Sequence, residues 1–313
     1  MRHRQQKGPR PHFLILLNRQ ATNFSEDTVQ CLTETIRSED GLYTIEEPRS
    51  AGELVRMTEV ICGVRRSHRR LPSYMTRRGK VTALVAAGGD GTANKVAGVA
   101  LAAGLPMGVL PMGRYNDIAR SLDPSLDIDR ISTAIAKRKY RQIDTIHVDG
   151  NLVVGSLSMG LLAQLREELT DRNGPRFAFR WKSLGTRVAE AVKLRRLILK
   201  LDAFRFEIRP TVLNINLLRY TMGLDISPAS ILDDQQAEVI FDVECDDRDL
   251  GNYVRQVYKG KYLYGNEVRL FRGSVIHLHS VRQQQVLIDG EKVHLSTNEV
   301  EMQVSNQSLK IFC

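Results

Sequence analysis

The sequence predicts an N-terminal α/β domain with a Rossmann-like parallel sheet, followed by a C-terminal domain built mainly from antiparallel strands. First, short apolar segments alternate with helical patterns at the start of the chain, in the β-α-β-α order typical of a parallel sheet. Second, two apolar segments, residues 81–87 and 107–110, each lead into a turn that contains glycine. Third, beyond residue 142 short strand-like runs replace the helical patterns. That spacing favours a β-sandwich or a flattened barrel.

Each element of the first domain is indicated by its own residues. Residues 13–17 and 42–45 are apolar runs of strand length. Ser25 and Ser50 each precede a helical pattern and can cap it, because a serine hydroxyl accepts a hydrogen bond from a backbone N–H of the first turn. Asp127 can cap a further short helix in the same way. These elements predict a parallel sheet with helices between its strands.

The second domain begins with a hairpin pattern, residues 143–148 and 152–157 around an Asp-Gly-Asn turn. A basic helical insertion at residues 177–201 interrupts the strands that follow. The further strand candidates are residues 203–209, 212–220, 237–243, 268–271, 275–279, 285–288 and 300–304. The chain thus divides into a disordered lead-in (1–11), an α/β domain (12–141), a β-rich domain (142–304) and a last segment (305–313) that either domain could contain.

Composition limits the class of protein without choosing a function. The 313 residues have a formal net charge of +9, so the surface attracts polyanions such as nucleotides or anionic lipid headgroups. The four cysteines are widely separated, which argues against a zinc site and a disulfide framework and favours reduced thiols in the cytoplasm. No apolar run reaches the roughly 20 residues of a membrane span, and no secretory signal is apparent at the N-terminus.

Two basic stretches have alternative interpretations. The arginine-rich run at residues 65–80 is either a solvated loop and helix end or a contact with an anionic membrane or nucleotide. Nucleic acid is not expected as a partner, because no aromatic stacking residues are interleaved with the arginines. The insertion at 176–200, with Phe177 and Trp181, is either a helix packed on the β-rich domain or a peripheral contact with a membrane surface.

The glycine-rich loop at residues 88–92 (GGDGT) is the strongest indication of a ligand site. A structural turn would need fewer glycines, and a dinucleotide fingerprint would require GxGxxG. A Walker-A pattern is absent from the chain. The best fit is a phosphate-binding loop with one acid, because a carboxylate beside phosphate needs a cation such as Mg²⁺ to offset the repulsion.

Several motifs resemble those of the diacylglycerol kinase catalytic domain family, which includes bacterial lipid kinases, sphingosine kinases and ceramide kinases. Residues 88–96 (GGDGTANKV) resemble GGDGTxNEV, and residues 110–120 (LPMGRYNDIAR) resemble LPxGTxNDFAR. Shorter matches follow in the family's order and include residues 143–144 (ID) with 158–160 (SMG), 181–185 (WKSLG), 232–234 (LDD) and 288–291 (IDGE). The resemblance covers most of the chain.

The resemblance implies an NAD-kinase-like α/β domain that binds ATP and a β-sandwich domain that receives a lipid acceptor, with the last segment returning to the first domain. It implies Asp289 as the general base. Glu291, two positions on, faces the same way if the segment is extended, and it is the second predicted catalytic residue. Mg²⁺ ligands would be Asp90, Asp117 and, for a structural ion, Asp234, although a plain acidic turn is equally open there. The implied nucleotide-binding residues are Asn18, Gly88, Gly89, Asp90, Gly91, Thr92, Gly113, Arg114 and Asn116.

The chain departs from the family pattern at several of these positions. Lys95 replaces a glutamate, Arg114 replaces a threonine, and Arg19 replaces the proline after Asn18. Gln235 replaces the glycine of the LDDG motif, where a left-handed turn is harder for a residue with a side chain. An Asp-Gly pair such as Asp289-Gly290 can also be a simple hairpin turn.

These observations predict an ATP-dependent kinase that transfers the γ-phosphate to a lipid hydroxyl, cytoplasmic or peripheral at the membrane surface. Two alternatives remain. One is a catalytically silent relative that binds nucleotide or lipid, in which Lys95 and Arg114 replace the charge of Mg²⁺. The other is a kinase of a soluble acceptor, as in NAD kinases. A homodimer formed through a β-edge of the second domain is also open.

Overall fold

The computed structural model describes residues 9–65, 80–160, 163, 196–242, 268–279, 281 and 286–313. The chain forms two compact units, Met1–Ile143 with Ser308–Cys313, and Asp144–Gln307. The sequence places the change of domain after residue 141 and the start of the last segment at 305. Among the described residues, no helix combines the length and the apolar character that a membrane span requires.

The first unit contains a parallel sheet. Its strands include β1 (His12–Leu17), β2 (Leu42–Glu46), β3 (Ala83–Gly88) and β4 (Met107–Pro111). They lie in the order β2-β1-β3-β4, and Ile311 of the C-terminal strand pairs with Met107 of β4, also in parallel. This arrangement confirms the predicted α/β class with a parallel sheet.

The helices of this unit begin where the sequence indicates. They are α1 (Glu26–Ser38), α2 (Ala51–Ile61), α3 (Asp90–Ala103), α4 (Asp117–Leu122) and α5 (Ile128–Ala136). The Ser25 hydroxyl accepts a hydrogen bond from the Thr28 N–H at 3.3 Å, and the Asp127 carboxylate accepts one from the Arg130 N–H at 3.0 Å. Each bond satisfies an N–H that the first helical turn leaves without an intrahelical partner.

The core of the first unit explains why its strands are continuous apolar runs. Helices cover parallel strands on both faces, so both sets of alternating side chains are buried. Every residue of β1 and β3 is buried. Phe312, at the end of the chain, lies 6.4 Å from Phe13 between ring centroids and belongs to the same core. The last residues are therefore part of the first unit's core.

The second unit contains two antiparallel sheets. The strands from β5 onward are β5 (Tyr140–Val148), β6 (Asn151–Val153), β7 (Ser156–Gly160), β8 (Leu197–Leu201), β9 (Phe204–Ile208), β10 (Val212–Asn216), β11 (Tyr220–Thr221), β12 (Leu224–Asp225), β13 (Ala237–Asp242), β14 (Val268–Gly273), β15 (Val275–His279), β16 (Val286–Ile288), β17 (Glu291–Val293) and β18 (Glu299–Phe312). Sheet 1 has the order β14-β13-β10-β7-β16-β17, and sheet 2 includes β9-β8-β15-β18.

One hydrophobic core joins the two sheets of the second unit. It includes Leu213, Val239 and Phe241 of sheet 1 together with Leu199 and Ile276 of sheet 2. Alternate side chains of each strand point into this core, as in a β-sandwich. The predicted antiparallel β-sandwich is therefore confirmed.

Three predicted boundaries differ from the structure. The predicted helical insertion extended to residue 201, but residues 197–201 form β8, because Leu197, Leu199 and Leu201 alternate into the core with the period of a strand. Residues 300–304 and 309–312 belong to one long strand, β18. The second arm of the predicted hairpin divides between β6, which pairs with β5, and β7, which belongs to sheet 1.

Residues 66–79 and 164–195, which contain most of both basic stretches, lie outside the described residues.

Asp242, at the end of β13, is buried, and its Oδ1 accepts a 2.7 Å hydrogen bond from the Val212 N–H. Burial raises the pKa of the Asp242 carboxyl, and the hydrogen bonds oppose this shift only in part. The folded state therefore binds the proton more tightly than the unfolded chain does. Ionisation of Asp242 then lowers stability above the ordinary carboxyl pKa of about 4.

We expect Asp242→Asn to raise the free energy of unfolding at pH 7 by about 1 kcal/mol, since the amide removes a buried charge while its oxygen can still accept from Val212. Urea denaturation should show the gain shrinking towards zero at about pH 3, where the wild-type carboxyl is protonated in both states. Glu207→Gln, at an exposed position of β9, is the control and should change stability by less than about 0.5 kcal/mol. An equal effect of Asp242→Asn at both pH values would contradict this account.

Candidate functional site

The loops that follow β3 and β4 meet backbone to backbone at Gly89 and Gly113. A Cβ atom on Gly113 would lie 2.4 Å from the Cα of Gly89, a separation that real structures do not show. The Met112 N–H donates to the Gly88 carbonyl oxygen at 2.9 Å beside this contact. Glycine is therefore required at position 113 because the neighbouring backbone occupies the space of a side chain.

Two asparagines shape the second loop. The Asn116 Oδ1 accepts a hydrogen bond from the Gly113 N–H at 2.7 Å, and its Nδ2 donates to the Gly113 carbonyl oxygen at 3.0 Å. Asn23 Nδ2 donates to the same oxygen at 2.7 Å. Asn116 is buried and has a φ of 53°, a left-handed conformation that asparagine tolerates better than most residues. The amide of Asn116, predicted to bind nucleotide, thus holds the loop in shape, and sequence reasoning did not select Asn23.

Asp90 connects the first loop to the second. It is the first residue of α3, and its Oδ1 accepts a 3.0 Å hydrogen bond from the N–H of Ile118 in α4. Asp117, the first residue of α4, directly precedes that donor. The two predicted Mg²⁺ ligands therefore lie at the starts of two helices joined by the Asp90 carboxylate.

Asn18 extends the same cluster from the end of β1. Its backbone N–H donates to the Ala87 carbonyl oxygen at 2.9 Å, and its Nδ2 donates to Thr92 Oγ1 at 3.3 Å. The Thr92 hydroxyl approaches Gly88 so closely that a Cβ there would lie 2.6 Å from it. The structure thus brings together Asn18, Gly88, Gly89, Asp90, Thr92, Gly113, Asn116 and Asp117, with Gly91 in the first turn of α3.

This cluster fits a phosphate group accompanied by a divalent cation. The N-terminus of a helix favours negative charge, and α3 starts at the glycine-rich loop. Protein-bound Mg²⁺ usually uses one or two carboxylates together with phosphate oxygens and water. Asp90 and Asp117 supply that number, although no group of three His, Cys, Asp or Glu side chains among the described residues could hold a metal alone.

The two cationic departures from the family pattern lie in α3 and in the second loop. Lys95 is half-buried in α3, and Arg114 is half-buried between Gly113 and Tyr115. The Arg114 guanidinium lies 6.0 Å from the centroid of the Tyr115 ring, at the limit of a cation–π contact. Both positive charges thus belong to the elements that form the candidate phosphate site.

In the second unit, Asp289 forms a turn and holds a loop at the same time. Asp289 and Gly290 have φ values of 47° and 78° and join β16 to β17, as in a two-residue hairpin. The Asp289 Oδ1 accepts hydrogen bonds from the N–H groups of Gly155 and Ser156 at 2.7 and 2.8 Å, and its Oδ2 accepts one from Val154 at 2.9 Å. Three successive N–H donors on one buried carboxylate suit its ionised form, which only accepts hydrogen bonds.

Glu291 does not share the orientation that an extended segment would give it. The predicted common orientation of Asp289 and Glu291 rests on the assumption that residues 289–291 are extended, but the chain turns at Asp289 and Gly290. Glu291 consequently starts the next strand, opposite Ile288, and is exposed. The assumption was wrong because an Asp-Gly pair accommodates the positive φ values of a tight turn.

Asp234, the third predicted metal ligand, already has a cationic partner. Its Oδ2 contacts the Arg272 guanidinium, and its Oδ1 accepts a 3.1 Å hydrogen bond from the Gln236 N–H. A metal ion would have to displace the arginine, so this donor set does not fit the predicted structural Mg²⁺. The neighbouring turn is held instead by buried Asp144, whose carboxylate accepts from the N–H groups of Gln235 and Gln307 at 2.6 Å each.

We expect Gly113→Ala to destabilise the first unit by about 1–3 kcal/mol, since the loops must separate to admit the methyl group. Thermal unfolding measures this effect. Gly98→Ala is the matched control, because Gly98 is exposed in α3 and a Cβ added there would meet nothing within 4 Å. That change should stabilise the helix by about 0.5–1 kcal/mol. Equal stability of the two variants would refute the close-contact argument.

We expect Asp289→Asn to lower the free energy of unfolding by about 1–3 kcal/mol, since one carboxylate oxygen becomes an NH₂ group that faces a backbone donor. Chemical denaturation at neutral pH tests this. Glu291→Gln in the same hairpin, at an exposed position, should change stability by less than about 0.5 kcal/mol. If Asp289→Asn were as stable as the wild type, its three hydrogen bonds would not hold the loop.

Two family models match the chain, one over each part of the sequence. Residues 12–148 match the family model of the diacylglycerol kinase catalytic domain. Residues 155–313 match the model of the YegS C-terminal NAD kinase beta sandwich-like domain. The two matches correspond to the parallel sheet with its glycine loops and to the sandwich that contains Asp289.

Individual relatives agree with the family models. A diacylglycerol kinase of Staphylococcus haemolyticus is 26% identical over 269 residues, which cover 79% of this chain and 81% of that protein. A diacylglycerol kinase of Staphylococcus aureus is 26% identical over 215 residues, 66% of this chain and 67% of that protein. The crystal structure of a diacylglycerol kinase from Bacillus anthracis has a TM-score of 0.70 at 14% identity, covering 96% of each chain. The chain belongs to the family of proteins in which a diacylglycerol kinase catalytic domain is followed by a YegS C-terminal NAD kinase beta sandwich-like domain.

Proposed function

We propose that this protein is an ATP-dependent kinase that transfers the γ-phosphoryl group to the hydroxyl of a lipid acceptor. The observation that supports this most is the pair of glycine loops in contact at Gly89 and Gly113, with Asp90 bonded across them to the start of α4. Family membership supports the lipid kinase class. ATP as the donor and the lipid as the acceptor are the proposal.

In the proposed reaction the first unit binds the donor phosphates. Backbone N–H groups at the start of α3 would donate to phosphate oxygens, and Thr92 would add a hydroxyl donor. Asp90 and Asp117 would hold Mg²⁺, which offsets the charge of the phosphate oxygens. Because the Asp90 carboxylate is fixed by the Ile118 N–H, its position does not depend on the metal.

The second unit would supply the base. As the acceptor oxygen forms its bond to the γ-phosphorus, the bond to the β–γ bridging oxygen breaks and its electron pair leaves with ADP. The proton of the acceptor hydroxyl passes to a carboxylate, and we assign this role to Asp289. The hydrogen bonds from Val154, Gly155 and Ser156 hold that carboxylate in one orientation, as efficient proton transfer requires.

A silent nucleotide-binding relative is the second candidate, and Lys95 and Arg114 are the observation that favours it. Both cations belong to the loop region where the family pattern has neutral or acidic residues. A lysine or arginine can neutralise phosphate charge, and arginine can do so through two hydrogen bonds. In this case nucleotide binding would not require Mg²⁺.

We expect the full chain to transfer labelled phosphate from ATP to at least one lipid of a panel of diacylglycerol, ceramide, sphingoid and polyprenol acceptors in mixed micelles. Transfer should require Mg²⁺ and stop on addition of EDTA. Asp90→Asn should reduce transfer by about 100-fold or more, because it removes a charge while its amide oxygen can still accept from Ile118. Its thermal unfolding should remain close to that of the wild type.

The alternative functions give different results in the same experiment. ATP that stabilises the protein equally with and without EDTA, together with no transfer to any lipid, would replace the kinase proposal with the silent relative. Formation of NADP from NAD and ATP would identify a soluble acceptor instead. Loss of both stability and transfer in Asp90→Asn would show that Asp90 acts through the structure rather than through a cation.

A further inference from the structure

Sheet 1 of the second unit has a second face on which buried polar side chains lie beside buried apolar ones such as Ile240 and Leu287. One face packs into the sandwich core through residues such as Leu157, Leu213 and Val239. The alternate residues of the same strands point to the opposite face. We call five of them the polar strip: Ser156, Ser158, Asn214, Asn216 and Glu238. Their exposed fractions are only 4%, 1%, 0%, 0% and 1%.

The polar strip is in register with Asp289. The Asp289 N–H donates to the Ser156 carbonyl oxygen at 2.9 Å, continuing the β16–β7 pairing. Ser156 pairs with Asn216, and Asn216 pairs with Glu238. Paired residues of adjacent strands share a face and lie about 5 Å apart. The row from Asp289 to Glu238 therefore extends about 14 Å, roughly the length of a lipid headgroup with its linkage to the acyl chains.

Several polar atoms of the strip have no hydrogen-bond partner within the part of the chain that the structure describes. They are both amide atoms of Asn214, the Nδ2 of Asn216 and the Oε1 of Glu238. The other polar atoms of the last two residues do have partners. Asn216 Oδ1 accepts from the Thr221 hydroxyl at 3.2 Å, and Glu238 Oε2 accepts from the Ser227 hydroxyl. The atoms without partners are thus concentrated on adjacent strands.

Buried polar atoms without a hydrogen-bond partner reduce the stability of a folded protein. Leaving one buried polar atom without a partner costs about 1–3 kcal/mol, and native proteins contain few of them. An asparagine in the middle of a buried strand therefore indicates a partner that the described residues do not supply, such as a bound molecule or water. Asn214 is the clearest case, because no described residue satisfies its donor or its acceptor.

The chemistry of these atoms limits the molecule that could bind. The strip offers amide donors, an amide acceptor and one carboxylate oxygen, a mixture that matches hydroxyl groups, which both donate and accept. The Arg272 Nε lies 3.9 Å from Glu238 Oε1 at the end of the strip, so the carboxylate charge is partly balanced there. A phosphate placed along the strip would be repelled by Glu238. The arrangement favours a neutral molecule with hydroxyl groups.

We propose that the polar strip binds the neutral, hydroxyl-bearing head of the acceptor lipid, with Asp289 at the end where phosphoryl transfer takes place. The inference rests on the proposed kinase function and specifies its acceptor site. Asn214 and Asn216 are specificity-determining residues that hydrogen-bond the head, and Glu238 accepts from one of its hydroxyls. The phosphorylated product binds less well, because it adds negative charge to a site that contains Glu238 and Asp289.

The decisive variant is Asn214→Leu, which replaces the unsatisfied amide by an apolar group of similar volume. If Asn214 serves only a ligand, this change leaves the melting temperature unchanged or raises it, since it removes unsatisfied buried polar atoms. The same variant should lower kcat/KM for dioctanoylglycerol about ten- to a hundredfold, while the KM for ATP stays constant. Ile240→Leu, opposite Asn214 in register, is the control for repacking and should leave both parameters unchanged.

A direct binding measurement separates this inference from the proposed function. Without ATP, dioctanoylglycerol in detergent micelles should raise the melting temperature of the wild type but not of Asn214→Leu, and dioctanoyl phosphatidic acid should have a smaller effect on the wild type. Glu238→Gln is a second, independent variant, because it keeps the Ser227 contact and should weaken lipid binding.

Each result has one interpretation. A wild type that phosphorylates dioctanoylglycerol, with Asn214→Leu and Glu238→Gln unaffected in kcat/KM and in binding, would overturn the inference and leave the kinase function intact. A large loss of stability in Asn214→Leu would show that internal water satisfies the amide, and would also overturn it. A wild type that binds dioctanoylglycerol through Asn214 but transfers no phosphate to it would support lipid binding at the polar strip and refute the kinase function.

Discussion

The approach of Gly89 to Gly113 is the constraint on which the candidate site in the first unit depends. Two loops can contact each other through their backbones only where neither residue has a side chain, and the geometry at Gly113 leaves no room for one. This contact sets the distance between the starts of α3 and α4. The Asp90 carboxylate then spans that distance to Ile118. The polar groups at the strand ends are positioned by this contact and need no ligand to hold them.

The fold was predictable because its elements have local causes. Ser25 and Asp127 cap helices through bonds to residues three positions along the chain, and such bonds can be inferred from sequence. β8 was mistaken for the end of a helix because five residues with three leucines suit either period. Only packing against Ile276 and Leu278 of β15 decides in favour of the strand. The partners of Asp144 were also hidden, since Gln235 and Gln307 are distant in sequence.

Asp289 shows how one residue can satisfy two sequence interpretations at once. The Asp-Gly pair is typical both of a hairpin turn and of a catalytic motif, and the turn is present. The side chain nevertheless makes three bonds that a turn does not require, all to the loop at residues 154–156. Sequence shows the turn, because it depends on two adjacent residues. The loop contacts span more than 130 positions along the chain and become visible only in three dimensions.

Several carboxylates in the second unit accept hydrogen bonds from backbone N–H groups near strand ends, and the polar strip does not follow that pattern. Asp144 and Asp289 follow it, as does Asp202, which accepts from the Val275 N–H at 2.9 Å. Asn214 and Glu238 lie within strands whose backbone groups already pair with neighbouring strands, so their side chains are not needed there. From sequence, their alternation with apolar residues is typical of a sheet with one solvated face. Because both side chains are buried instead, the amide of Asn214 and the Oε1 of Glu238 have no hydrogen-bond partner among the described residues, and a bound polar molecule provides one.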